Sequence, residues 1–206
     1  MAKSVHRTAR IAVRATPGQA RRCWALMVAA GDVWAWVLDC NRQLQAWGQR
    51  PVVNYQALCR ELAGSRFGEL AQHCARRVLE RYSDAWFAAA TRRSDGHRAS
   101  FPRRKRRLFV VIWQQGNFSI DGDRIRLAVA RSCPPLEVRL GRAIPYPTDA
   151  IRTVTLVHEA GRLYLDITAL IPVDNHDIDP AKTAGVDVGI IHPFAIAHGA
   201  EALVVS

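Results

Sequence analysis

The 206-residue chain is 49% hydrophobic, enough to bury one large core or two small ones, which excludes a disordered or collagen-like protein. Its 29 Lys and Arg against 18 Asp and Glu give a formal net charge of +11, which favours a polyanionic partner; the arginine bias suits phosphate and equally suits a GC-rich genome. Five cysteines, Cys23, Cys40, Cys59, Cys74 and Cys133, contain no CxxC pair, so they read as reduced thiols of a cytoplasmic core with no zinc role, and no apolar run approaches the roughly 20 residues of a membrane span.

Residues 6 to 15, HRTARIAVRA, alternate between basic and apolar side chains, which predicts a half-exposed strand with Arg10 and Arg14 on one face. TPGQ then supplies a helix start, with Thr16 as N-cap, Pro17 in the first turn and Gln19 reaching back in a capping box. Trp24, Met27, Val33, Trp34, Val37, Leu38 and Leu44 form one apolar stripe until Gly48 to Pro51 break it. Trp36 is the tryptophan expected to be most exposed.

A short helix is expected around Tyr55 to Leu62 and a longer one from about Gly68 to Thr91. In the longer one Leu70, Cys74, Val78, Tyr82, Ala85, Trp86 and Ala89 face inward, and Arg76, Arg77, Glu80 and Arg81 mostly outward. Together these make a small helical bundle.

RRSDGHRASFPRRKRR follows, with Gly96 and Pro102 among basic residues and almost no carboxylate to neutralise them. It is a linker or a binding loop. Arg92, Arg93, Arg98, Arg103, Arg104, Lys105, Arg106 and Arg107 are its candidate phosphate contacts, with a plain solvated charge run as the alternative. Phe101, Pro102, Phe109 and Trp113 interleave with them, either as stacking faces for bases or as core.

Beyond the basic run the period changes from 3.6 to 2 in LFVVIW, NFSIDGDRIRLAVA, LEVRL and IRTVTLVHEAGRLYLDITALI, which predicts an antiparallel sheet or barrel. Asp121-Gly122 and Glu159-Ala160-Gly161 mark hairpins. Pro172 to Lys182 is polar and reads as a linker.

The last segment, GVDVG, sets Asp187 in an otherwise apolar strand, where a carboxylate is expensive unless a cation compensates it. An acid on a first strand with a hairpin return, PFAIAHG, is how two-metal phosphoryl-transfer sites of the RNase H kind begin. A simple turn-capping acid is one alternative; a sugar-kinase or actin-like phosphate turn is another, disfavoured because Ile190, Ile191, His192 and Pro193 offer few small hydroxyls or free amides. His192 and His198 are assigned no role.

Taken in order, RIAVRATPGQ, VWAWVLDCN, SFPRRKRR, FSIDGDRIRLAVA, IRTVTLVHEAGRLYLDI and AGVDVGIIHPFAIAHG resemble the N-terminal part of the TnpB/OrfB transposon-associated RNA-guided nucleases, relatives of compact type V CRISPR effectors. The resemblance implies an α+β fold. Residues 1–15 would be the first strand of a wedge-like antiparallel β-barrel, 16–95 an inserted helical recognition lobe, 96–173 the basic loop and remaining barrel, 174–182 a linker, and 183–206 the start of an incomplete RNase H-like (RuvC) domain. It further implies guide RNA and target double-stranded DNA as partners, no membrane, and a bacterial, nucleoid-associated location. Asp187 matches the first of three acids that hold two magnesium ions. The family's other two acids, its second RuvC segment and its CxxC zinc element have no counterpart in this sequence, so the chain alone is expected to bind without cutting, as part of an endonuclease or as a catalytically inactive regulator.

Overall fold

The computed structural model describes residues 3–104 and 107–173 and the strand backbone of 184–187, 194–198 and 201–205. It combines three helices with a nearly closed, seven-stranded antiparallel barrel. Strand β1 (Lys3–Arg14) leads into α1 (Pro17–Ala46), α2 (Tyr55–Glu61) and α3 (Gln72–Ser94); β2 (Val111–Gln114), β3 (Phe118–Asp121), β4 (Arg124–Leu127), β5 (Leu136–Leu140), β6 (Ile151–Glu159) and β7 (Arg162–Val173) follow. The strand order is β2-β6-β7-β1-β5-β4-β3, so the helices are an insertion between the central strand β1 and the edge strand β2. Residues 6–170 form one compact unit, and residues 1–5 with 171–206 form another.

Alternation explains most of the barrel. In β4 and β5 the apolar residues pair across strands, Ile125 with Val138 and Leu127 with Leu136, and all four are buried while Arg124, Arg126 and Arg139 point out. β6 needs one correction to strict alternation. A register irregularity between Ile151 and Thr153 lets Ile151, Val154 and Leu156 all face inward, where a regular strand would put Ile151 opposite the other two. Trp113 of the edge strand β2 is fully buried, and its indole Nε1–H donates to the carbonyl of Ala128, just past β4, at 2.7 Å.

Both hairpins form as two-residue loops. Asp121 pairs with Arg124 around Gly122 at φ 56°, and Glu159 pairs with Arg162 around Ala160 at φ 47° and Gly161 at φ 79°.

The helix starts as its capping box predicts, with Thr16 accepting from the Gln19 amide and the Gln19 side chain accepting from the Thr16 amide. Its buried stripe is Cys23, Leu26, Met27, Ala30, Val33, Trp34, Val37, Leu38 and Asn41. Trp24 is only half-buried, its ring edge-on to His158 at 4.5 Å, and Trp36 is half-buried rather than exposed; the open tryptophan is Trp47, 71% exposed. In α3 Ala85 is exposed and Trp86 half-buried, while Ala75, Leu79 and Ser83 take the inward places. Asn41 is buried but satisfied, donating to Val52 O and Tyr82 Oη and accepting from Val52 N.

By length and composition α1 does qualify as a membrane-crossing helix, which corrects the reading of the sequence. More than half of its most apolar 18-residue window, 56%, is buried inside the protein, so packing accounts for that apolarity. All five cysteines are free, Cys23 and Cys74 buried; burial pushes the Cys23 thiol up to about 11.

In the second unit, β8 (Ala184–Asp187), β9 (Phe194–His198) and β10 (Glu201–Val205) form a three-stranded antiparallel sheet in the order β10-β9-β8. Asp187 ends β8, its backbone opposite Ala195. A strand and an antiparallel return are present there, but Asp187 is the last residue of β8, whereas the sequence places it at the centre of its strand.

Candidate nucleic-acid interface

Arg92 and Arg93 belong to the last turn of α3, not to the loop after it, where two cations complement the negative end of the helix dipole. The helix closes with the Gly96 amide donating to Arg93 O and the His97 amide to Arg92 O, a reversal that requires the left-handed backbone of Gly96, φ 80°. The chain is thereby sent back along the helices.

Aromatic contacts pin it there. Phe101 stacks on Trp86 with centroids 4.3 Å apart and planes at 26°, and the Arg93 guanidinium lies over the Phe101 ring at 5.2 Å. Trp34 Nε1–H donates to Arg104 O at 3.0 Å, the Phe109 amide donates to Met27 O at 3.0 Å, and Phe109 stacks on Trp34 at 5.1 Å. A row of rings, Phe101, Trp86, Tyr82, Trp34 and Phe109, thus runs from the loop into the core. Phe101, half-buried against Trp86, and the buried Phe109 hold the loop in place, while the buried Trp113 belongs to the barrel core. Between Trp34, Phe101, Pro102 and Arg103 lies a shallow cleft of about 280 Å³.

Arg92, Arg93, Arg98, Arg103, Arg104 and Arg107 are all exposed. None of these six has a carboxylate partner among the described residues. Lys105 and Arg106 lie outside the described residues. Arg92 and Arg93 are held in the helix end and Arg104 by the Trp34 bond to its carbonyl, with their guanidinium groups in solvent, so these arginines can bind phosphate oxygens at little ordering cost.

Arg10 and Arg14 fare differently. They do share the outer face of β1, but Arg10 is clamped by Asp166, Nε to Oδ1 at 2.7 Å and Nη2 to Oδ2 at 2.8 Å, and by Glu159 at 2.5 Å. The Asp166 hydrogen bonds and charge, with Glu159 adding, raise its pKa above the ordinary arginine value. A phosphate would have to displace two carboxylates, so Arg10 serves the barrel rather than an open anion site. Arg14 donates to Gly141 O at 3.3 Å and remains exposed.

The Asp187 side chain lies outside the described residues. Among the described residues no group of three or more His, Cys, Asp or Glu could hold a metal ion. They do not make a magnesium site, and no metal-dependent step follows from them.

Arg66 and Arg131, each in a Gly-, Ser- or Pro-rich connection outside the basic run, are also exposed.

No protein-family model matches the sequence, and no curated protein matches it. Among solved structures the fold is similar to that of Cas12f1 in a cryo-EM structure of the Cas12f1-sgRNA-target DNA complex, with a TM-score of 0.54 at 10% identity. The match covers 98% of this chain, which spans 66% of that one. At this identity the likeness establishes the fold.

Proposed function

We propose that this protein is the nucleic-acid-binding portion of an RNA-guided nuclease of the type V and TnpB/OrfB kind, and that it holds a guide RNA and target DNA. The observation that carries this reading is the loop after α3, where Arg98, Arg103, Arg104 and Arg107 face solvent without carboxylate partners among the described residues while Trp86 and Trp34 hold the loop at Phe101 and at the Arg104 carbonyl. The fold shared with Cas12f1, whose structure is of a complex with sgRNA and target DNA, supports the same reading. On it, the barrel is the wedge-like domain, the three helices are the recognition lobe, and β8 opens a RuvC-like sheet with Asp187 as its first metal-binding carboxylate. Base pairing between guide and target reads the sequence; the protein supplies backbone contacts and reads helical shape.

The test is fluorescence anisotropy with a structured RNA and a duplex DNA, comparing the wild type with R103A/R104A/R107A. The variant is expected to bind more weakly across all sequences, with its salt slope on the duplex reduced by about 2.7. Undiminished affinity and slope would remove the loop from the interface.

A further inference from the structure

A cleft of about 720 Å³ lies where the connection from α2 to α3 meets the turns around Asn117 and 128–132 of the barrel. Its walls are tied together. The Ala130 amide donates to Glu69 O at 2.9 Å, the Ala128 amide to Asn117 O at 3.0 Å and the Cys133 amide to Ala130 O at 2.9 Å. Two exposed arginines, Arg66 and Arg131, line it together with Gln72, His73, Asn117 and Ser132, and among the described residues no carboxylate does. The nearest acid in the chain, Glu69, is already committed to Arg22, which binds it at 2.7 Å and reaches on to the Pro134 and Pro135 carbonyls. His73 Nε2 is shielded from solvent with no hydrogen-bond partner.

A prebuilt concavity lined by two unneutralised guanidinium groups, amides and hydroxyls, with no acid, matches an anion that carries several acceptor oxygens. We propose that this cleft is a second seat for a phosphodiester strand, separate from the loop after α3, with Arg66 and Arg131 on phosphate and Gln72, Asn117 and Ser132 on the adjoining sugar edge. The proposal rests on the nucleic-acid reading above. RNA and DNA offer the same phosphodiester, and only RNA adds a sugar hydroxyl to pair with the polar lining, so the two are tested side by side.

R66A/R131A in the full chain is measured against R66K/R131K and wild type, with a labelled single-stranded RNA and the DNA of the same sequence. The alanine pair is expected to lose about tenfold in affinity at low salt and about 1.4 in salt slope, while the lysine pair keeps the slope. Its loss should add to that of R103A/R104A/R107A, because separate sites contribute independently. As a measurement that does not depend on the variants folding, hydrogen exchange on the wild type should show residues 66–73 and 128–132 protected when RNA is bound. A wild type that binds while the alanine pair leaves affinity and slope unchanged, or leaves those amides unprotected, overturns the cleft alone; a wild type that binds neither strand overturns the nucleic-acid reading and the cleft with it.

Discussion

Ala160 is the one residue other than glycine with positive φ among the described residues, at 47°, and it occupies the first of two loop positions between β6 and β7. A loop whose two central residues both have φ above zero favours Asn-Gly, whereas an alanine in the left-handed region costs about 1 kcal/mol. A160N is therefore expected to raise stability by about 0.5 to 1 kcal/mol, read as a higher urea midpoint at unchanged slope. A lowered midpoint would show that the hairpin does not need that backbone. His73 sets a second test at this scale. Burial pushes its pKa below the ordinary 6.5, so the unfolded chain takes up the proton at higher pH than the folded one. The contribution of the neutral imidazole is intact above about 6.5 and is lost as pH falls from there through the lowered folded value. Comparing urea midpoints of wild type and H73Q from pH 8 to pH 5 should show a shallower acid decline in the variant; parallel curves would contradict the burial.

The elements were legible where one local period governs them. LEVRL appears as β5 with the expected faces, and TPGQ starts α1 with the expected capping box, because alternation and capping are decided within a few residues. What could not be read is decided by distant chain. Arg10 looked free because Asp166 and Glu159, which claim it, lie 156 and 149 positions away. Trp113, following a basic run, could be a stacking face or core from the sequence alone, and only the barrel decides that it is core. The irregularity in β6 is invisible in IRTVTLV, since only the core tells Ile151 and Val154 to face the same way. At this scale the aromatic row is the element that makes the loop a site. W86A should remove the platform under Phe101 and raise hydrogen exchange in residues 97–104 while the barrel strands stay protected. Unchanged exchange in that segment would mean the loop is held by something other than the ring stack.

Across the whole molecule, three helices inserted in a nearly closed barrel display an excess of arginine over carboxylate, and the excess is distributed unevenly. On the barrel, Arg10, Arg126 and Arg139 meet Asp166, Glu137 and Asp123, so much of its charge is balanced internally. In the loop after α3 and in the cleft between the helical insertion and the barrel turns, arginines stand without acids among the described residues. Balanced charge steadies a fold only weakly when exposed, whereas unbalanced charge fixed in place attracts polyanions and releases their counterions. The most direct measurement of that claim is the affinity of the wild-type chain for single-stranded RNA as salt rises from about 50 to about 200 mM, plotted on logarithmic axes. Engagement of four or more phosphates predicts a slope of about −3 or steeper; a slope near zero, or no binding at the lowest salt, would contradict it.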